Sequence, residues 1–333
     1  MCTDTDWREF IRKAIENEAS DIHLTVEQRP YMRCLGILQP MDSHPLTELF
    51  MEEICSLILD DGQREKLSRE REIDLSWTFE ERRFRVHAYY QKGWPALAFR
   101  LLPERIPSLS ELGAPDIWQK MKEIVQGFIL VTGRTGSGKS TTLAAFIEEL
   151  NREKSYHIVT LEDPIEFLYR ADRSFISQRE LGSDFLTFPG ALKNALREMP
   201  DIILVGEIRD PDTMQMALEA ASTGIFVLGT LHTKGAAETA MRVESLFPLR
   251  QRDAVRDRFA DVFTGIFSQC LLPSVSGSRV CATEVLLATP ASRNLIRQGK
   301  YHQLASVMMS SPDMNTMEQS LDLLIRQRKI SAV

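Results

Sequence analysis

The stretch Gly133-Arg134-Thr135-Gly136-Ser137-Gly138-Lys139-Ser140-Thr141 decides how this chain is read. It has the form G-x-x-x-x-G-K-S, in which the glycines let backbone N–H groups turn inward around a phosphate with no Cβ in the way. The pattern needs a strand before it and a helix after it. Upstream, Phe128-Ile129-Leu130-Val131 is a continuous apolar run of the kind carried by a strand buried on both faces. Downstream, Leu143, Phe146, Ile147 and Leu150 recur at helical spacing. A helix beginning near Lys139 adds the positive end of its dipole. Lys139 is expected to reach the β- and γ-phosphates of a nucleoside triphosphate, and the Ser140 hydroxyl to complete the coordination of Mg²⁺.

Outward from this stretch the same grammar repeats. Ile158-Val159-Thr160-Leu161, Ile202-Ile203-Leu204-Val205 and Ile225-Phe226-Val227-Leu228 are short, apolar and followed by polar or glycine-containing loops. That is the signature of a parallel sheet covered by helices, and ligands of such sheets bind at the carboxyl ends of the strands. The first run is followed by Glu162-Asp163-Pro164-Ile165-Glu166, the second by Gly206-Glu207-Ile208-Arg209-Asp210, and the third by Gly229-Thr230-Leu231-His232-Thr233. An acidic residue at a strand end beside a phosphate loop can hold the hydration shell of Mg²⁺ or polarise an attacking water. Taken singly, Asp163-Pro164 is also ordinary turn chemistry, Glu207 a solvated loop end, and His232 a hydrogen-bonded structural histidine. Their succession at strand ends favours a hydrolytic site.

The chain before Pro103 follows another pattern. Trp7, Phe10, Ile11, Ala14 and Ile15 form one face of a helix over 5–19, with Thr5 or Asp6 as its N-cap. Ile22, Leu24 and Val26 alternate as a strand, and 30–36 reads as a second. A helix through Leu46, Leu49, Phe50, Ile54, Leu57 and Ile58 is expected to end at Asp60-Asp61-Gly62. Alternation over 73–79 and 84–90 around Glu80-Glu81-Arg82 predicts a hairpin, and 95–102 a third strand with Leu97, Phe99 and Leu101 on one face. We therefore expect a small α+β domain over 1–102, a linker at 103–116 punctuated by Pro103, Pro107, Gly113 and Pro115, and an α/β core over 117–289. A helical region over 290–333 follows, with Leu295, Ile296, Leu321, Leu324 and Ile325 as packing residues.

Composition narrows the class. A length of 333 residues accommodates two domains, and 43% hydrophobic with 26% charged residues is ordinary for a globular protein. The net charge of −7 argues against a general nucleic-acid footprint. Five scattered cysteines (Cys2, Cys34, Cys55, Cys270, Cys281), without C-x-x-C pairs, suit a reducing compartment and offer neither a disulfide framework nor a zinc site. No apolar run reaches bilayer length and the N-terminus is acidic rather than signal-like, so a cytoplasmic location is expected, with membrane association only through a partner.

Four boxes in order carry a resemblance: GRTGSGKSTT, TLEDPIEF (160–167), IILVGEIRD (202–210) and TGIFVLGTLHT (223–233). Over nearly its whole length the chain resembles the secretion ATPase superfamily, the ring motors of type II secretion and type IV pili. The resemblance implies a PAS-like N-terminal domain, a RecA-like P-loop ATPase domain with a mainly parallel sheet, a homohexameric ring, and ATP and Mg²⁺ as ligands. It assigns Gly133, Thr135, Gly136, Ser137, Gly138, Lys139, Ser140 and Thr141 to the nucleotide, Glu207 to water activation, and Glu162 and Glu166 to support of metal and water. Ser140, Glu162 and Glu207 would hold Mg²⁺, partly through water, and His232 would sense the γ-phosphate. Arg85 in RFRVHA and Arg100 in AFRLLP match the arginine-finger positions, where positive charge offsets charge developing on the transferred phosphoryl group.

The segment ASRNLIRQGK (291–300) resembles AIRNLIRE of the retraction motors, differing at Ser292 and Gln298. The extra N-terminal domain and four-cysteine zinc motif of the assembly and secretion motors are not seen. The retraction branch is thus implied: an ATPase powering pilus retraction and twitching motility, on the inner face of the membrane, with the inner-membrane platform protein and paralogous pilus ATPases as partners and no nucleic acid. Two positions depart from the family pattern. Arg134 replaces the proline of GPTGSGKS, where backbone supplies the contacts, and Ile225 replaces the histidine of TGH. The loss of that histidine leaves open an accessory or assembly ring subunit that hydrolyses weakly. A RecA-like nucleic-acid motor is disfavoured by the acidic charge and the lack of a basic, aromatic-rich stripe.

Overall fold

Alternating apolar positions fold the first part of the chain onto one antiparallel sheet. In the computed structural model, residues 7–331 are described, so the N-cap expected at Thr5 or Asp6 lies outside them. The first helix, α1 (Trp7–Glu16), buries Trp7, Phe10, Ile11 and Ala14 in the core it shares with the sheet. Then come β1 (Asp21–Thr25), β2 (Tyr31–Cys34), β3 (Ile37–Pro40), α2 (Glu48–Ile58), α3 (Asp61–Glu70), β4 (Glu72–Phe79), β5 (Arg82–Gln91) and β6 (Trp94–Leu101). The strand order is β3-β2-β1-β6-β5-β4. The expected hairpin is β4–β5, with Phe84 facing Trp77 and Val86 facing Leu75.

Two elements here differ from the sequence expectation. Asp60-Asp61-Gly62 does not close α2 into a turn but starts α3. Asp60 accepts the N–H of Gln63 at 2.8 Å, and the Gln63 side chain accepts the N–H of Asp60 at 3.0 Å, a reciprocal cap. Only Leu67 of α3 is buried, so the helix carries no apolar stripe to betray it. The second strand likewise turns back as the exposed edge strand β3, whose mostly exposed positions show no alternation of burial.

The chain divides into two units, Met1–Arg105 and Ile106–Val333. Residues 106–116, read as linker from their prolines and glycine, begin the second unit: Leu109 is buried, and Ile106, Leu112 and Ala114 pack beside it. After α4 (Ile117–Met121) the α/β pattern runs β7 (Gly127–Thr132), α5 (Lys139–Glu153), β8 (His157–Glu162), β9 (Phe175–Glu180), α6 (Phe188–Ala195), β10 (Ile202–Val205), α7 (Pro211–Ser222), β11 (Phe226–Leu231), α8 (Ala236–Ser245) and α9 (Arg252–Val262). It closes with β12 (Phe263–Pro273), β13 (Arg279–Leu287), α10 (Pro290–Arg297), α11 (Leu304–Met309) and α12 (Met317–Arg326). The sheet order is β13-β12-β7-β11-β10-β8-β9, parallel except for the β12–β13 pair. The four strands expected from sequence are β7, β8, β10 and β11. Every residue of β7, β10 and β11 is buried, as strands covered on both faces require.

The tail is packed, not appended. Arg293 donates to the carbonyls of Ala260 and Asp261 at the C-terminal end of α9, and Arg297 pairs with the Asp261 carboxylate, so the 291–300 segment docks on that helix end. Ile296 and Leu324 are buried, with Leu295, Leu321 and Ile325 packed at the core margins. On β13, Glu284 accepts the N–H of Ala236, the first residue of α8, at 2.5 Å, and that of Met317, the first residue of α12, at 3.1 Å. One carboxylate thus serves two helix starts, where negative charge is favoured. No helix among the described residues is long and apolar enough to cross a membrane.

The core beneath α5 is built on Trp118, whose ring stacks on Phe267 at 4.2 Å and packs on Phe146 at 4.8 Å, all three fully buried. Phe267→Ala opens a cavity there and is expected to lower stability by about 3–5 kcal/mol. Urea titration would show this as a lower midpoint at unchanged slope.

Candidate nucleotide site

The phosphate loop leaves the sheet at Thr132, the last residue of β7. Gly133 has φ +145°, and a Cβ there would sit 2.4 Å from the carbonyl oxygen of Gln269 and 2.5 Å from Ser137 Oγ, so no larger residue fits. Gly138 caps α5 with φ +90°, a left-handed conformation that an L side chain rarely adopts. Lys139 opens α5 and is buried. Its ammonium donates to the carbonyls of Gly133 at 3.1 Å and Arg134 at 3.2 Å. Burial pulls the Lys139 ammonium below its ordinary pKa, while Glu207 and Glu166 work in the opposite direction. Thr135, Gly136 and Ser140 are exposed and Thr141 half-buried at the mouth of the loop.

Residues 133–137 form one wall of a cleft of ≈ 480 Å³, facing Lys234, Gln269, Cys270 and Met317. Ser137 Oγ and Gln269 Oε1 are buried in its lining without a hydrogen-bond partner. Native interiors rarely leave such atoms unsatisfied, so the lining offers two polar atoms able to take a further partner.

Three strand ends carry the acidic and histidine turns. At the end of β8, Glu162 accepts from Thr160 Oγ1 at 2.6 Å, from Gln178 Nε2 at 3.3 Å, and from the backbone N–H of Glu166. Burial outweighs these bonds and pushes the Glu162 carboxyl up to about 7. Glu166 itself is exposed. After β10, Glu207 accepts from Arg209 Nη2 at 2.8 Å and lies 3.0 Å from His232 Nε2. Partial burial works to raise the Glu207 carboxyl, but Arg209 and His232 together leave it below its ordinary value. At the end of β11, Thr230 Oγ1 donates to the Gly206 carbonyl at 2.5 Å and the N–H of Ile208 to the Thr230 carbonyl at 3.0 Å, locking the His232 turn to the Glu207 turn. Lys139 is thus coupled to Glu207 and Glu166, Glu166 to Glu162, and Glu207 to His232, a linked series of charges.

The two arginines belong to the first unit. In the β5–β6 register Arg85 faces Arg100, and both are exposed. Arg100 Nε donates to Asp21 Oδ1 at 3.0 Å. Like charges directly opposite on neighbouring strands are destabilising, and the Asp21 carboxylate offsets that of Arg100.

Ile225 stands apart. It precedes β11 at the opposite edge of the sheet, its carbonyl accepts from Gly127 at the start of β7 at 3.3 Å, and its side chain packs on the apolar core. From there to Leu231 is about 20 Å of extended strand. The concern that its substitution for histidine weakens the hydrolytic site thus has no direct geometric basis. Other residues that hold the site were missed in the sequence. Arg209 was visible beside Glu207 as a neighbouring charge, but Gln178 lies on β9, a strand without alternating burial.

A sequence pattern of the family described as type II/IV secretion system protein matches residues 4–283. The type IV pilus retractation ATPase PilT of Pseudomonas aeruginosa is 39% identical over 329 residues, covering 98% of this chain and 96% of that protein. A twitching motility protein of Neisseria gonorrhoeae is 46% identical over 309 residues, covering 91% of this chain and 82% of that protein. The crystal structure of the pilus retraction motor PilT with bound ADP superposes with a TM-score of 0.91 at 43% identity, covering 98% of this chain and 95% of that one. With a family pattern spanning most of its length, this chain belongs to the type II/IV secretion system protein family.

Proposed function

We propose that this chain is a Mg²⁺-dependent ATPase that works as a homohexameric motor and retracts a type IV pilus. The observation that carries the reading is buried Lys139 at the start of the phosphate-loop helix, drawn by the charges of Glu207 and Glu166, with Glu207 in turn 3.0 Å from His232 Nε2. The relatives named for pilus retraction and twitching motility support the direction of force.

The loop N–H groups and Lys139 bind the β- and γ-phosphates, Lys139 exchanging its two carbonyl partners for phosphate oxygens. Glu207, kept ionised by Arg209 and His232, orients the attacking water. Glu162, poised near neutrality, is the carboxyl suited to hold a proton. His232 senses the γ-phosphate through its contact with Glu207. Ser140, Glu162 and Glu207 would hold Mg²⁺, which, when bound, neutralises charge on the phosphate oxygens. Among the described residues no group of three or more His, Cys, Asp or Glu side chains could hold a metal alone. That suits an ion that keeps its waters and binds through one or two carboxylates and substrate phosphates. Arg85 and Arg100 act as arginine fingers. Hydrolysis would turn a domain of residues 1–102 against the core of 117–289, with the inner-membrane platform protein as the mechanical partner and nucleic acid as none.

An accessory ring subunit of weak hydrolysis is the second reading, and Ile225 is the residue that favours it. Its distance from the strand-end cluster argues for the first.

Lys139→Ala is expected to lower ATP turnover by about a hundredfold or more, as loss of a preorganised charge at the reacting group does; robust turnover by this variant would overturn the assignment. Ile225→His should leave turnover unchanged in the same assay, and a several-fold rise would restore the accessory reading. A third expectation concerns pH. The Glu162 carboxyl titrates near 4.5 in the unfolded chain and about 7 in the folded one, so ionising it opposes folding progressively between those values. In buffer without nucleotide or metal, Glu162→Gln should gain stability relative to the parent as pH rises through that window. The difference should be flat below and above it in denaturant titrations.

A further inference from the structure

Four buried hydroxyls cross the carboxyl end of the sheet beneath the phosphate loop. Thr132 Oγ1 lies 2.7 Å from Ser268 Oγ on β12 and 3.3 Å from Thr239 Oγ1 on α8. Thr239 Oγ1 in turn lies 2.7 Å from Thr233 Oγ1 and 2.7 Å from the Gly235 carbonyl oxygen. Thr132, Thr239 and Ser268 are 0% exposed and Thr233 4%. A hydroxyl has one proton and two lone pairs. Thr239 shares its one proton between the Gly235 carbonyl and Thr132, and Thr233 is placed to donate to one of its lone pairs.

The ends of this chain of hydroxyls matter. Thr132 immediately precedes Gly133, the first residue of the phosphate loop, and Thr233 immediately follows His232. Thr239 therefore sits between the root of the loop and the turn that carries the histidine to Glu207. It is wholly buried, so it does not meet nucleotide itself. Because an unpaired buried hydroxyl is costly, the turn cannot slide relative to the loop without breaking bonds at the hub.

We infer that Thr239 is a positioning residue for hydrolysis, holding the His232 turn in register with the phosphate loop so that the imidazole meets Glu207 Oε1. The inference rests on the hydrolytic reading above. Replacing the hydroxyl by a methyl of the same shape loosens the turn, while the loop backbone that binds phosphate keeps its glycine-dictated path.

In Thr239→Val, kcat for ATP is expected to fall by about tenfold or more, the scale on which small misplacements of catalytic groups act. The Kd for fluorescently labelled ADP should stay near that of the parent, and Thr239→Ser, which retains the hydroxyl, should recover most of kcat. His232 should also react faster with diethyl pyrocarbonate in the Val variant than in the parent or the Ser variant, read by mass spectrometry of the full chain. That second readout needs no turnover, so failure of the hydrolytic reading, seen as a parent protein without ATPase activity, is distinguishable from failure of the positioning role. Parental kcat and His232 reactivity in the Val variant would overturn the inference, as would a parallel loss of ADP affinity and kcat. Should Thr239→Val not fold, Thr233→Val, which removes one arm of the hub, must move the same two readouts.

Discussion

A buried ammonium is the constraint on which the rest of the second unit depends. Lys139 starts α5 inside the loop it closes, with two backbone carbonyls as hydrogen-bond acceptors and carboxylates at the neighbouring strand ends. A charge removed from water is tolerated only where opposite charge and acceptors surround it. The glycines bend the backbone tightly enough to present those carbonyls. The parallel strands, each buried on both faces, deliver Glu162 and Glu207 to the same edge. A phosphate entering the loop completes the surroundings that the protein alone leaves unfinished, with Ser137 Oγ and Gln269 Oε1 as further unsatisfied atoms in the wall.

Two carboxylates of the same residue type are pushed apart by what surrounds them. Glu207 sits between Arg209 and His232 and remains an anion, whereas Glu162, held by a hydroxyl, an amide and a backbone N–H, feels burial more than any cation. Such a split is how one site obtains both a fixed charge and a group that exchanges protons near neutrality.

How much of this was legible in the sequence follows from the strength of each local signal. The loop, its flanking strand and helix, and the acidic and histidine turns were readable because residue type and position both carry meaning there: glycine where Cβ cannot fit, carboxylate where a parallel strand ends. The polar helix α3 was not, since one buried leucine makes no stripe, although the Asp60–Gln63 cap was a usable sign. Strand β9 was missed because its side chains are mostly half-buried, and with it went Gln178. Neither β12 nor β13 ends in a chemical motif, so they too were passed over, together with the wall they give the cleft. Ile225 shows the opposite error. Seven residues from His232 in the chain, it lies across the full depth of the sheet from it, because an extended strand converts short sequence separation into long distance.

Glu284 draws these levels together. Its two oxygens close the first turns of α8 and α12, elements separated by some eighty positions of chain. The starts of α12 and of the helix that follows the His232 turn thus share one acceptor, and Met317, whose N–H Glu284 accepts, also lines the cleft beside the phosphate loop. Changing Glu284 would therefore disturb the starts of two helices at once, one of which follows directly on the His232 turn.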